Sequence, residues 1–201
     1  MTKIKICGIR RHQDIEYLNE LQVEYAGFVF AKSTRRVNME EAFNLILKLS
    51  ADIKKVGVFV DEEPLKVLEI AEKLKLQILQ FHGHETQAYI NKFRGFEIWK
   101  AIRINSSKCV SEGRNYKCEK FLLDNSVPGS GGIFKWELAQ QRIKGSQIML
   151  AGGLTSENVA QGIIQLTPYG VDVSSGVETQ GFKDYEKMKK FVRKVRDLHE
   201  R

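Results

Sequence analysis

Val56-Gly-Val-Phe-Val60, then Asp61-Glu-Glu-Pro64, then an apolar face at Val67, Leu68, Ile70, Ala71 and Leu74, and then Ile78-Leu-Gln-Phe-His82 read as strand, helix and strand. The two outer segments are β-branched and aromatic, residues that fit a pleated, buried surface. Between them, acidic residues and an early proline stand where a helix N-terminus favours them, and the apolar side chains recur at helical spacing. Two strands joined by one short helical crossover pair in parallel, with the crossover right-handed.

The same unit recurs outward in both directions. Runs that read as strands are Ile4–Cys7, Tyr25–Phe30, Val56–Val60, Ile78–His82, Glu97–Ile102, Phe121–Asp124, Ile148–Ala151 and Val171–Ser174, at intervals of about two dozen residues. Helical patterns open at Met39-Glu-Glu-Ala-Phe43 and Ser156-Glu-Asn-Val159, whereas 105–118 is the weakest stretch. Strand and helix alternating in this way give an α/β fold, either a closed (β/α)₈ barrel or an open doubly wound sheet. Strand polarity favours closure. Ile4 and Ile6 alternate with Lys5 and Cys7, Leu79 and Phe81 with Gln80 and His82, Phe121 and Leu123 with Leu122 and Asp124, Val171 and Val173 with Asp172 and Ser174. Period-two alternation sends the polar set to one side, which in a barrel faces the axis near the C-terminal mouth. With three prolines and no low-complexity linker, residues 1–201 are expected to form a single (β/α)₈ domain.

Composition narrows the class. The 201 residues are 42% hydrophobic, with 32 Lys+Arg against 25 Asp+Glu for a net charge of +7. Three cysteines, Cys7, Cys109 and Cys118, form no C-x-x-C pair, which argues against a disulfide framework or a zinc knuckle. No apolar run has the 18 or more residues of a membrane span, and the first residues lack a signal-peptide core, so a cytoplasmic protein without membrane contact is expected. Residues 182–201 carry +4 of the +7 on a segment whose Tyr185, Met188, Phe191, Val192, Val195 and Leu198 make an apolar stripe. Its charges then face water as a solvated helix surface, and no aromatic platform for a nucleic acid is interleaved with them.

The polar mouth carries the candidate chemistry. Ala151-Gly-Gly-Leu-Thr155 and Ser174-Ser-Gly-Val-Glu178 follow the last two strands, where (β/α)₈ barrels bind phosphate through backbone N–H groups. One glycine pair is commonly only a turn; two at consecutive late strand ends point to a sugar phosphate. A lone cysteine is usually a small buried hydrophobe, but Cys7 stands two residues after Lys5, whose ammonium would lower the thiol pKa and make a thiolate base available. Asp124 closes an apolar strand, where a carboxylate is costly unless used. Base and acid on opposite sides of one mouth suit proton relocation on a sugar. Ser33-Thr-Arg-Arg36 brings guanidinium groups to the rim, where they can hold a carboxylate. His82-Gly-His84 has no carboxylate-rich companions, so no metal site is expected; Cys109 and Cys118 read as structural.

Taken in order, Lys5-Ile-Cys-Gly8, Ser33-Thr-Arg35, Leu79-Gln-Phe-His-Gly83, Phe121-Leu-Leu-Asp124, Gly129-Ser-Gly131 with Phe134 and Trp136, Gly152-Gly-Leu-Thr-Ser-Glu-Asn-Val159 and Asp172-Val-Ser-Ser-Gly-Val-Glu178 resemble the phosphoribosylanthranilate isomerase family over nearly the whole chain. The resemblance implies a (β/α)₈ barrel that performs an Amadori rearrangement of N-(5-phosphoribosyl)anthranilate in tryptophan biosynthesis, without cofactor or metal. It implies Asp124 as general acid and Cys7 as general base. It further puts Arg35 on the anthranilate carboxylate, Lys5, His82 and Asp172 at substrate-binding positions, and Gly152, Gly153, Ser174, Ser175 and Gly176 in the phosphate cradle. The expected partner is that small molecule, with no nucleic acid and no membrane, and the protein a monomer or homodimer. In the family's sixth-loop pattern, Pro128 replaces a glycine and Lys135 an aspartate, which is expected to alter how that loop closes.

Overall fold

The computed structural model describes residues 1–104, 116–125 and 147–199. The weak stretch up to residue 115, Cys109 and the sixth-loop residues Pro128, Gly129–Gly131, Phe134, Lys135 and Trp136 lie outside them.

Eight parallel strands close into a barrel in chain order: β1 (Lys3–Cys7), β2 (Tyr25–Val29), β3 (Lys54–Phe59), β4 (Ile78–Phe81), β5 (Glu97–Ile104), β6 (Lys120–Asn125), β7 (Ile148–Leu150) and β8 (Gly170–Val173). Closure is made by β8 against β1, in a register that sets Lys5 opposite Asp172 and Ile6 opposite Val173. The described helices are α1 (His12–Leu21), α2 (Met39–Ile46), α3 (Pro64–Lys73), α4 (Gln87–Ile90), α5 (Val159–Leu166) and α6 (Tyr185–Arg196). None is long and apolar enough to cross a membrane.

Local chemistry accounts for the helix starts. Asn38 and Glu41 make a reciprocal capping box at α2, with the Asn38 side chain accepting from Glu41 N–H at 2.9 Å and Glu41 accepting from Asn38 N–H at 2.7 Å. Pro64 opens α3, and Asp184 caps α6 by accepting from Lys187 N–H at 3.1 Å. The helix expected from Ser156 begins at Val159, because Thr155 N–H donates to the Asn158 side chain at 2.8 Å and the intervening residues form a turn.

Strand alternation divides the core as the sequence implies. Ile4, Ile6, Leu79, Phe81, Phe121, Leu123, Val171 and Val173 point outward and pack under helical residues such as Leu18, Val67, Ile163 and Phe191. Inside the barrel, Tyr25, Val56, Ile78, Trp99, Leu122 and Met149 form a dry plug. Above that plug the inward positions turn polar, which is the C-terminal mouth. On α6, Met188, Phe191, Val192 and Val195 are buried, so the apolar stripe docks on the barrel.

Candidate active site

The first wall of the mouth is the β8–β1 closure. Because Lys5 and Asp172 are register partners, their side chains meet on the inner face, with Nζ 2.9 Å from Oδ2 and the lysine fully buried. Cys7 is one pleat higher on the same face, opposite Gly27 of β2. A Cβ at Gly27 would come within 2.9 Å of Cys7 Sγ and 3.1 Å of Lys5 Nζ, so only glycine leaves room for thiol and ammonium together. Burial works against the Lys5 charge, yet Asp172 and Cys7 beside it hold its pKa above the ordinary lysine value. Burial lifts the Asp172 carboxyl as well, against the pull of Lys5.

The sequence led us to expect a thiolate at Cys7. Burial instead pushes the thiol pKa up, and the opposing pull of Lys5 and Lys183 does not overcome it, so Cys7 rests as the thiol. The structure also sets Lys5 beneath the cavity rather than on its wall, with its ammonium given to Asp172 and Cys7.

The second wall comes from alternate strands β4 and β6. His82 follows β4 and its Nε2 lies 2.9 Å from Asp124 Oδ2, while Nδ1 lies 3.2 Å from Gln80 Nε2. The loop that carries His82 is fixed from behind. Lys100 on β5 is buried with its ammonium 2.7 Å from the Gly83 carbonyl and 2.9 Å from Glu85 Oε2, and Glu85 accepts from Asp61 and Gly83 N–H groups. His84 turns outward to Asp61, away from His82. Among the described residues no cluster of His, Cys, Asp and Glu could hold a metal ion.

Between the walls lies a cavity of about 550 Å³ lined by Cys7, His82, Asp124, Asp172, Arg35 and the two glycine loops, among other residues. Gly152 and Gly153 have left-handed backbone (φ 80° and 68°), and Ser175–Val177 is a single helical turn whose first N–H groups lack intrahelical acceptors. Gly176 packs so tightly on the other loop that a Cβ there would stand 1.9 Å from the Leu154 carbonyl oxygen. The Ser174 hydroxyl does not face the cradle: it donates to the Cys7 carbonyl at 3.0 Å.

At the rim, Arg35 grips Glu178 with both Nε (2.8 Å) and Nη2 (2.6 Å), and Lys183 Nζ reaches the same carboxylate at 2.7 Å. Although Glu178 is largely buried, those two cations hold its carboxyl below the ordinary range. Neither Glu178 nor Lys183 emerges as a site residue from the sequence. Glu178 ends the eighth-strand motif, and Lys183 is hidden in the basic terminal run although it precedes the helix cap and lies off the stripe.

Fold and site together define a (β/α)₈-barrel enzyme whose working groups converge on the C-terminal mouth. Residues 4–194 match the family model of N-(5′-phosphoribosyl)anthranilate isomerase. A relative with that name from Thermoanaerobacter sp. is 49% identical over 98% of this chain and all of its own. The crystal structure of phosphoribosyl anthranilate isomerase from Thermotoga maritima superposes with a TM-score of 0.91 at 35% identity, covering 98% of this chain and all of that one. Another, in complex with reduced 1-(o-carboxyphenylamino)-1-deoxyribulose 5-phosphate, gives 0.88 at 34% over the same shares. The chain belongs to the N-(5′-phosphoribosyl)anthranilate isomerase family, and it is an isomerase of tryptophan biosynthesis.

Proposed function

We propose that the chain converts N-(5-phosphoribosyl)anthranilate into 1-(2-carboxyphenylamino)-1-deoxyribulose 5-phosphate by moving one proton between Asp124, the sugar and Cys7. The observation that carries this reading is that a thiol and a carboxyl from β1 and β6 line one cavity, which also holds two backbone loops able to take a phosphate. Asp124 gives its proton to the furanose ring oxygen, the C1–O bond breaks, and a protonated Schiff base forms at C1. Cys7 then removes the proton from C2, leaving an enolamine that tautomerises to the ketose. Asp124 ends as carboxylate and Cys7 is again a thiol, so the cycle closes when Asp124 takes back from solvent the proton that the thiol released before acting as base.

The raised pKa of Cys7 fits this order of events. Before ring opening, burial keeps the sulfur protonated; the cationic Schiff base adds a second positive charge beside Lys5, the thiol gives its proton to solvent, and the thiolate is present when C2 must be deprotonated. Lys5 acts through Cys7 and Asp172 without touching substrate. Arg35, whose Nε and Nη2 serve Glu178, offers Nη1 to the anthranilate carboxylate. Gly152, Gly153, Ser175 and Gly176 cradle the phosphate, with Ser174 contributing backbone while its hydroxyl braces Cys7. Neither cofactor nor metal enters any step, and the setting is the cytoplasm.

Mixing the protein with phosphoribosylanthranilate should consume the anthranilate-type fluorescence, and Cys7→Ala and Asp124→Asn should each fold but not turn over. Turnover by either folded variant, or no fluorescence change with the folded parent, overturns the reading.

A further inference from the structure

We propose that Gln80 is a positioning residue that fixes the tautomer of His82 and thereby strengthens Asp124 as an acid. The inference rests on the reading of Asp124 given above. Gln80 lies on β4 and His82 directly after its end, two residues on, so both face the barrel axis, with Gln80 one step deeper and 1% exposed. Its amide Nε2 is 3.2 Å from His82 Nδ1, and His82 Nε2 is 2.9 Å from Asp124 Oδ2. A neutral imidazole has one donating and one accepting nitrogen. Facing an amide NH₂ group, Nδ1 must accept, so the ring proton is on Nε2 and points at the carboxyl group.

The opposite arrangement would reverse the chemistry. Were the amide oxygen to face Nδ1, the ring proton would move there and Nε2 would present a lone pair to Asp124. That lone pair favours the protonated carboxyl and makes it a weaker acid, whereas an N–H donor favours the carboxylate left after proton transfer. The molecule bears a visible cost for the arrangement it has. Gln80 Oε1 is buried with no hydrogen-bond partner among the described residues, which is unfavourable for an amide oxygen. An amide placed only for packing would gain nothing from leaving its oxygen bare while its nitrogen addresses a histidine.

Other charges facing the pair are known. Asp172 on β8 is the carboxylate across the mouth that feels both His82 and Asp124, and its own charge is countered by Lys5 on β1. Cys7 on β1 lines the same cavity. Lys100 and Glu85 neutralise one another behind the His82 loop. None of these touches Nδ1, so among the described residues Gln80 is the group that sets the hydrogen bond on that side of the ring, while Asp124 faces Nε2.

The test is ¹⁵N NMR of the histidine-labelled protein without substrate, beside Gln80→Glu and Gln80→Met. In the parent, His82 Nδ1 should resonate as an unprotonated nitrogen and Nε2 as a protonated one. A carboxylate at position 80 can only accept, so Gln80→Glu should move a proton onto Nδ1, lower kcat by about 10–100-fold as loss of an orienting partner does, shift the kcat pH profile and leave KM within about twofold. Gln80→Met should leave the ring as a mixture of tautomers, which keeps the question decidable if the glutamate variant fails to fold. A protonated Nδ1 in neutral His82 of the parent, or an unchanged tautomer in the folded variants, overturns the proposal. Turnover by Asp124→Asn with the tautomer as stated would instead sink the catalytic role of Asp124 and leave the Gln80 assignment standing.

Discussion

Cys7 and Asp124 line the same cavity from walls made in contrasting ways. On the β8–β1 side, a fully buried ammonium and a carboxylate sit 2.9 Å apart under the thiol, with 0% and 8% of their side chains exposed. On the β4–β6 side, a neutral amide, an imidazole and a carboxyl form a hydrogen-bonded row whose last two members are 21% and 27% exposed. The difference suits the roles proposed for the two groups. A thiol held dry responds strongly to a new charge nearby, because low polarity amplifies Coulombic effects. A proposed acid that is spent at every turnover needs contact with water to recover its proton.

The sharpest way to break the contrast is to discharge the dry wall. Lys5→Met would strand the Asp172 carboxylate and should lower unfolding stability at neutral pH by about 3–5 kcal/mol, read by chemical denaturation, and remove turnover as well. Adding Asp172→Leu should recover most of that stability without restoring turnover, since the thiol then lacks the stronger of its two cations, Lys5 rather than Lys183. If stability survives the single change, the wall is wetter than its burial implies.

Asp124→Asn probes the open wall and should separate the two properties. The rate should fall to background, a loss of about 10,000-fold as for removal of a general acid, with stability changed by less than ~1 kcal/mol because the group is partly exposed. Arg35→Ala should act on binding, raising KM by about 10- to 100-fold, the equivalent of one charged hydrogen-bonding group, in steady-state fluorescence assays.

Glu178→Gln gives a smaller, pH-dependent effect. Because the folded-state pKa of Glu178 is depressed, its stabilisation is present above the ordinary carboxylate range and is lost as pH falls through the folded value. The variant should be less stable than the parent at neutral pH, and the gap should close on acidification below about pH 4. Smallest of all should be charge reversal at Lys189, Lys190 and Arg193. Lys190 pairs with Glu157 at a site where both side chains are mostly exposed, so stability should shift by less than ~1 kcal/mol and turnover not at all. A large loss of activity there would show that the helix surface serves the reaction.

The barrel was legible because strand polarity is a local signal. Lys5, Cys7, Gln80, His82 and Asp124 alternate with apolar residues in their own runs, and the structure turns each of them inward. Glu178 was not legible as the partner of Arg35, since 143 residues separate them and only barrel closure brings the second and eighth loops together. Lys183 was masked by neighbouring lysines of the same charge but different surroundings. The inward amide of Gln80 was visible, whereas its orientation toward His82 was not, because strand period gives the face of a side chain and not the direction of its terminal dipole. The thiol state of Cys7 was misjudged for a related reason: spacing gives the nearness of Lys5 but not the depth of burial that outweighs it.

Lys5 and Asp172 meet across the last seam to be sewn, between the first strand made and the last. During synthesis or refolding, a chain in which β8 has not yet docked therefore carries Cys7 with a lysine still free in water and no carboxylate to hold it in place. Its sulfur is then chemically an ordinary cysteine, readier to ionise than in the finished barrel. The protonated resting thiol set beside a held ammonium is thus a property of the completed ring rather than of the segment that encodes it.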